Sequence, residues 1–494
     1  MIQREAVLPM NIELILPQHE TRGWHLLLLS RIRASGHAVG VKTVSAPRTP
    51  HLLEGLLRFE QRILLRRPSP MLVRQAIASE RLDAPPDLRI DVSGTAQFGE
   101  VPVLAIKDGR SEPLVEAAMS LARGDLPSVQ LTLDGTPIGI AHPMVDNRFV
   151  LTRGLEDVLA RTISLLMKGI VVCQASVSRS RKPPTSLPIS RASSASLALL
   201  VHYTTHMIPR LAKEAYRRCT SRTHAHWCVG YRFLDGPGVA ETHDLSGPAW
   251  TRIADDGHRF FADPFPLEHQ GRFYIFVEEY EHAKGKGVIS VSEVTPDGRA
   301  TPPRQILEED YHLSYPNVFR SGGDIWMLPE GGSSKSLVLY RATDFPFGWE
   351  RHETLIADRE LADPTLVEHN GRLWLFAAER DGAGSAADMM SVFFADDLHG
   401  RWTPHPANPI VIDRAGARPG GNIVLSGQRL LLPLQDGTET YGGGLQLGEI
   451  ICLTEELVEL GPAVPVRPEG NWPFPKIHTL NRAGRLEVID GIVP

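Results

Sequence analysis

Residues 262–276 read ADPFPLEHQGRFYIF, and residues 362–376 read ADPTLVEHNGRLWLF. The two phrases share Ala-Asp-Pro, Glu-His, Gly-Arg and a closing Phe at equal offsets, one hundred residues apart. Agreement at so many positions without a gap marks an internal repeat. Weaker copies begin at Tyr315 (YPNVFRSGGDIWMLPE), at Arg418 (RPGGNIVLSGQRLLLPLQD) and at Pro475 (PKIHTLNRAGRLEVIDG). Each reads as a short strand, a tight turn and an apolar second strand ending in an acid or amide. Gly271, Gly322–Gly323, Gly371, Gly427 and Gly484 stand where each hairpin reverses. The copies start about fifty residues apart, the length of one four-stranded propeller blade. Five blades fit residues 226–494. The last copy has no outer strands of its own, so HWCVGYRF (226–233) is expected to supply one and close the ring. Closure removes exposed strand edges. The competing fold is an open β-sandwich, which rarely shows a regular phrase of this length.

In a blade the first strand lines the axis and the second runs antiparallel beside it. First-strand starts and second-strand ends therefore gather on one face. The starts carry Asp263, Tyr315, Asp363, Arg418 and His478; the ends carry Glu278 and Glu279, Glu330, Glu379, Gln435 with Asp436, and Asp490. This predicts a ring of carboxylates around one funnel mouth. Crowded carboxylates cannot all stay ionised. An acid beside a carboxylate is what glycosyl chemistry requires. The competing reading of each Asp-Pro is a turn-fixing acceptor of backbone N–H groups. Trp326, Trp374 and Trp472 are candidates either for sugar-facing platforms or for blade core, and core is the commoner fate of a strand tryptophan.

The rest of the chain sets the frame. A length of 494 residues implies two or three domains. With 42% hydrophobic and 22% charged residues the chain is globular, and a net charge of −6 gives no electrostatic case for nucleic acid. Cys219 and Cys228 flank His224 and His226, but the four cysteines lack metal-ligand spacing, and reduced thiols are expected. No metal or other cofactor is predicted. MIQREAVLPMNIELILP does not read as a signal peptide, and SASLALLVHYTTHMI (194–208) is too short and too often interrupted by His to span a bilayer. No transmembrane segment and a cytoplasmic location are the expectations.

NIELILP (11–17), RGWHLLLLSRIRASGH (22–37) and AVGVKTVSA (38–46) suggest a strand–helix–strand unit with parallel strands. LLEGLLRFEQRILLR (52–66) adds a helix, DLRIDVSG and VPVLAIKDG add strands ending in glycine turns, and 154–171 adds an amphipathic helix. The expectation is a small parallel-sheet α/β domain over 10–172, with ligands at strand ends carrying Asp91-Val-Ser93-Gly94 and Lys107-Asp108-Gly109. No phosphate-cradling Gly-x-Gly-x-x-Gly follows the first strand. Residues 174–195 are rich in Ser, Pro and Arg, the composition of a linker, and a helix follows over roughly 195–218, so 173–225 is read as linker and helix.

Taken in order, FFADPFPLEHQGRFYIFVEEY, HLSYPNVFRSGGDIWMLPE, ADPTLVEHNGRLWLF, GRWTPHPANPI, ARPGG, QDG with YGGG, and IHTL with VIDG resemble the N-terminal domain of plant glucosamine inositolphosphorylceramide transferases, which also occurs in bacterial exopolysaccharide proteins. The resemblance covers nearly all of 226–494 and implies a five-bladed propeller similar to those of furanosidases. From those hydrolases it implies that Asp263 is base or nucleophile and that Glu379 is the nearest match to the acid, with Asp363 a rival. Where they place a pKa-tuning Asp in the second blade, this chain has Tyr315 and Asn317. The plant transferase domain follows the propeller and this sequence ends at Pro494, so transferase activity is not carried over. Residues 10–170 are similar to degenerate formyltransferase-like domains, on strand order and DLRIDVSG. They lack the Asn, His and Asp of working enzymes, so a scaffold is expected.

The combined reading is a protein of surface-polysaccharide or glycolipid assembly. It binds a sugar or activated sugar, with polysaccharide-assembly proteins as further partners. Asp263, Glu330, Asp363 and Glu379 are the catalytic candidates; Tyr315, Arg418, Gln435, Asp436, His478 and Asp490 are the substrate-binding ones. A non-catalytic glycan-binding or scaffold module, and formyl or acyl transfer by the N-terminal domain, are the competing readings.

Overall fold

The computed structural model describes residues 9–107, 113–176, 195–219, 226–474 and 476–493. The chain divides into two compact units: residues to 222 with 381–385, and the remainder.

In the first unit β1 (Asn11–Pro17), α1 (Gly23–Ala34), β2 (Ala38–Val44), α2 (His51–Phe59), β3 (Leu88–Asp91), β4 (Val103–Ile106), α3 (Pro113–Arg123), β5 (Val129–Leu133), β6 (Thr136–Ala141) and α4 (Leu151–Ser176) follow in chain order. They form a six-stranded sheet of order β2-β1-β3-β4-β5-β6 with accompanying helices. β1, β2, β3 and β4 pair in parallel, as βαβ order predicts, but β5 and β6 are antiparallel. The sheet is therefore mixed, not purely parallel. β6 turns back along β5 because Asp134 and Gly135 both take positive φ, the type I′ turn of a two-residue hairpin. Asp91 is buried and accepts the backbone N–H and hydroxyl of Ser93, so this strand end is closed on itself. Asp108 and Gly109, and the linker over 177–194, lie outside the described residues. α5 (Ala195–His202) and α6 (Ile208–Cys219) follow the linker.

The second unit is a five-bladed propeller. Blade 1 is Arg259–His269, Arg272–Glu281, Lys286–Val294 and Arg304–Leu307; blade 2 is Ser314–Ser321, Asp324–Glu330, Ser336–Asp344 and Gly348–Ala357. Blade 3 runs from Glu360–His369 through Arg372–Arg380 and Met389–Ala395, and blade 4 is built on Arg429–Asp436 and Gly444–Leu453. Blade 5 closes the ring as expected: β7 (His226–Phe233) pairs antiparallel along the whole of Leu486–Val493. Every repeat glycine named above has positive φ, and in QG (270–271) and NG (370–371) both turn residues do, the I′ geometry that a right-twisted hairpin favours. Apolar residues between neighbouring blades form the core; Trp326, Trp374 and Trp472 are all buried there and are not sugar platforms.

The repeated Asp-Pro builds a β-bulge. Ala262 pairs Glu278 and Phe265 pairs Phe276, so Asp263 and Pro264 stand opposite one residue; Ala362 and Thr365 do the same around Asp363, and Ser314 and Asn317 around Tyr315. Asp263, Tyr315 and Asp363 take φ of 49°, 47° and 51°, unfavourable for a residue before proline. Proline suits the bulge because it has no N–H to leave unpaired.

Candidate functional site

The bulges turn the chain toward the propeller axis, where their freed N–H groups find acidic partners on the preceding blade. Asp263 N–H donates to Asp490 (3.1 Å), Tyr315 N–H to Asp263 (3.2 Å) and Asp363 N–H to Glu330 (3.1 Å). The bland reading of a carboxylate as backbone acceptor therefore holds for each of these three acids. It does not exhaust them.

Two clusters form. In the first, His478 lies between two acids: Nε2 is 3.2 Å from Asp263 and Nδ1 is 2.7 Å from Asp490. Thr479 donates its hydroxyl to Asp263 (2.9 Å), and Asp490 also accepts the N–H groups of His478 and Thr479. All three charged residues are buried. Burial opposes the imidazolium, but Asp490 and Asp263 overcome it and hold His478 up to about 9 from its ordinary 6.5. Burial raises Asp263; His478 draws it back, and Asp363, Glu278 and Asp490 push it further up.

In the second cluster, Arg418 grips Asp363 with two nitrogens, Nε at 2.5 Å and Nη2 at 3.1 Å, and reaches Glu330 at 3.2 Å. Gln435 donates to Asp363 (2.5 Å) and to Pro419 O (2.8 Å). Burial and Glu330 raise Asp363 while Arg418 lowers it, and the net direction is up.

A cavity of about 320 Å³, the size of a small-molecule site, opens over these clusters. Asp263, Glu278, Glu330, Glu360, Arg418 and His478 line it, together with Trp227, Phe260, Tyr280 and Tyr441. The ring of carboxylates is thus interleaved with cations: Glu278 meets His312 at 3.2 Å and Glu360 meets Arg380 at 2.7 Å. Burial opposes the charge on His312, but Glu278 holds its pKa above the ordinary value. The Trp227 ring lies 3.9 Å from that of His478 at 31°, and Arg418 stands over Tyr441 at 5.1 Å. Half-exposed Tyr441 offers an aromatic surface beside hydrogen-bonding groups, which is the lining a sugar ring needs.

Several predicted residues sit elsewhere. Glu379 does not line the cavity; it binds Arg359 (2.6 Å) and Ser391 (2.5 Å), as its repeat partner Glu279 binds Arg259 and Ser290 at 2.5 Å each. Tyr315 is fully buried, and its hydroxyl meets Thr365 (2.8 Å) and Gly421 N–H (2.6 Å), because the bulge points it into the ring. Asp436 accepts the N–H of Thr438 in a turn (2.9 Å). Sequence reading missed Trp227, Phe260, Tyr280, His312, Glu360 and Tyr441. A signal existed for three of them: Phe260, His312 and Glu360 each stand three residues before their blade's bulge residue.

Residues 249–468 match the family described as glucosamine inositolphosphorylceramide transferase 1, N-terminal. Glucosamine inositolphosphorylceramide transferase 1 of Oryza sativa subsp. japonica is 30% identical over 358 residues, covering 66% of this chain and 47% of that protein. The Arabidopsis thaliana protein of the same name is 34% identical over 259 residues, covering 48% of this chain and 34% of that protein. The chain thus spans half or less of the length of these relatives. Among solved structures, an exo-beta-1,3-galactanase from Clostridium thermocellum aligns at 16% identity and TM-score 0.35, covering 49% of this chain and 60% of that one. The family match lies in the propeller and lends nothing to the formyltransferase-like reading of the N-terminal unit.

Proposed function

We propose, for a chain whose propeller belongs to the glucosamine inositolphosphorylceramide transferase N-terminal domain family, that the axial cavity binds a saccharide and acts on its glycosidic or activated anomeric bond. The observation that carries this reading is the Asp263–His478–Asp490 line beneath an aromatic-rimmed cavity that Glu330 also enters.

Asp263 is the proton-accepting or attacking group. His478, held as the imidazolium, is the proton donor beside it, and Asp490 fixes the ring from behind. Glu330 is the second carboxylate of the pair, placed on the side of the leaving oxygen. Arg418 positions Glu330 and holds Asp363 as its own counter-charge. The pathway is surface-polysaccharide or glycolipid assembly, in keeping with the glucosamine and the ceramide in the relatives' names.

A second reading, a glycan-binding module without turnover, draws support from the ion pairing of so many of the carboxylates. The two separate on one variant. Aryl glycosides and nucleotide-activated amino sugars are supplied to the full chain and to Asp263→Asn. Catalysis predicts turnover lowered about 10²–10⁴-fold with sugar affinity kept within a few-fold. Turnover equal to that of the parent removes Asp263 from the chemistry. Sugar binding by a parent that turns nothing over establishes the second reading.

A further inference from the structure

Away from the axis, at the outer edge of the ring, His352, Glu353 and His399 form a second convergence of polar side chains. One ligand atom from each lies within 4.8 Å of the other two. Adjacent residues of a strand ordinarily face opposite sides of a sheet, so His352 and Glu353 should diverge. They do not, because the outer strand of blade 2, Gly348–Ala357, is irregular at this point. Tyr340 pairs Arg351 and Leu339 pairs Glu353, which leaves His352 as the inserted residue of a bulge. A bulge re-aims a side chain, and here it brings two neighbours to one side. His399 arrives from blade 3, in the turn between Met389–Ala395 and Thr403–Pro404. Its Nδ1 is already in contact with Glu353 Oε1, and Asp397 accepts its backbone N–H at 3.0 Å.

The rings are held from below. Trp326 is buried, with its indole N–H on Ser321 O at 3.0 Å, and its ring centroid is 5.0 Å from that of His352 and 5.1 Å from that of His399. The two imidazoles are 5.5 Å apart. Beneath them lies the apolar core shared by blades 2 and 3, including Leu398 and Trp402. Above them the site is open: the His399 side chain is 48% exposed and that of Glu353 33%.

We propose that His352, Glu353 and His399 bind a divalent transition metal of the zinc class, which ties the outer edges of blades 2 and 3 together. Two imidazoles and one carboxylate are a zinc-type donor set, with water completing the coordination. Calcium and magnesium ask for more oxygen ligands than this site offers. Tetrahedral bonds of about 2.0 Å place ligand atoms about 3.3 Å apart, a closure that exposed side chains reach by small rotations.

The test uses the full chain, stripped with a chelator and titrated with zinc by calorimetry near neutral pH. One ion per chain is expected, with a higher melting temperature when loaded. His352→Ala and His399→Ala should each weaken binding about tenfold or more, and each should lose the thermal shift. Cobalt at the same site should give the absorption of a tetrahedral ion. Asp263→Asn should bind zinc as the parent does, which separates this site from the axial Asp263–His478–Asp490 group. No stoichiometric zinc binding by the parent overturns the proposal. So does undiminished binding in the His352→Ala, His399→Ala double variant, shown by circular dichroism to be folded.

Discussion

Asp263 in blade 1 and Asp363 in blade 3 occupy the same backbone and meet different partners. Both follow Ala and precede Pro, both sit at a bulge with φ near 50°, and both present their N–H to an acid of the preceding blade. Even the ion pairs flanking them repeat, Arg259 with Glu279 and Arg359 with Glu379. Yet Asp263 faces an imidazole and Asp363 a guanidinium. Histidine can give up a proton at accessible pH; arginine cannot. The repeat therefore sets the backbone and its local braces, while residues on the neighbouring blades decide which copy can do proton chemistry. Under the proposed function blade 1 carries the reactive copy and blade 3 the anchored one.

Breaking the anchor should have the largest effect. Asp363→Ala leaves a buried Arg418 with Glu330 as its remaining carboxylate partner among the described residues, and removing one partner of a buried pair costs about 3–5 kcal/mol. Chemical denaturation should register that loss, and a cost below about 1 kcal/mol would erase the distinction between the copies.

Next is pH. His478 is raised from 6.5 to about 9 on folding. A raised group stabilises fully below its unfolded value and ceases to do so as pH climbs through its folded value. Stability should therefore fall between pH 6.5 and about 9, by roughly 3 kcal/mol. His478→Gln should remove the imidazole's share of that slope and leave the share of Asp263, whose carboxyl is raised as well. An unchanged slope in the variant would place the titration elsewhere.

Smaller effects sharpen the comparison. Thr479→Val removes one buried hydrogen bond to Asp263 and should cost about 1 kcal/mol. It should also shift the pH profile of turnover, because Asp263 loses a donor that favours its charged form. Glu379→Gln breaks a partly exposed pair away from the cavity and should cost under about 1 kcal/mol, with sugar affinity and turnover unchanged. A large loss of turnover in that variant would restore Glu379 as an acid candidate.

Much of this was legible from residues 262–276 and 362–376 once the weaker copies at Tyr315, Arg418 and Pro475 were set beside them. Hairpins fifty residues apart fix a blade, and strand ends then fix which residues meet at the axis. Asp263, Glu330, Arg418, His478 and Asp490 follow from that geometry. Partner choice did not follow, because pairing across blades depends on the side each bulge presents. Tyr315 was misread for the same reason: a residue inserted by a bulge no longer obeys strand alternation. Trp227 was hidden because the strand closing the ring comes from a segment outside the repeat. In the N-terminal unit no repeat supports the reading, and β6 was missed although Asp134-Gly135 signalled its turn.

The most direct measurement is a crystal structure of Asp263→Asn soaked with an amino-sugar glycoside. A sugar ring is expected in the axial cavity, with an oxygen within hydrogen-bond reach of both position 263 and Glu330. A sugar bound only elsewhere, with the axial cavity holding water alone, would contradict it.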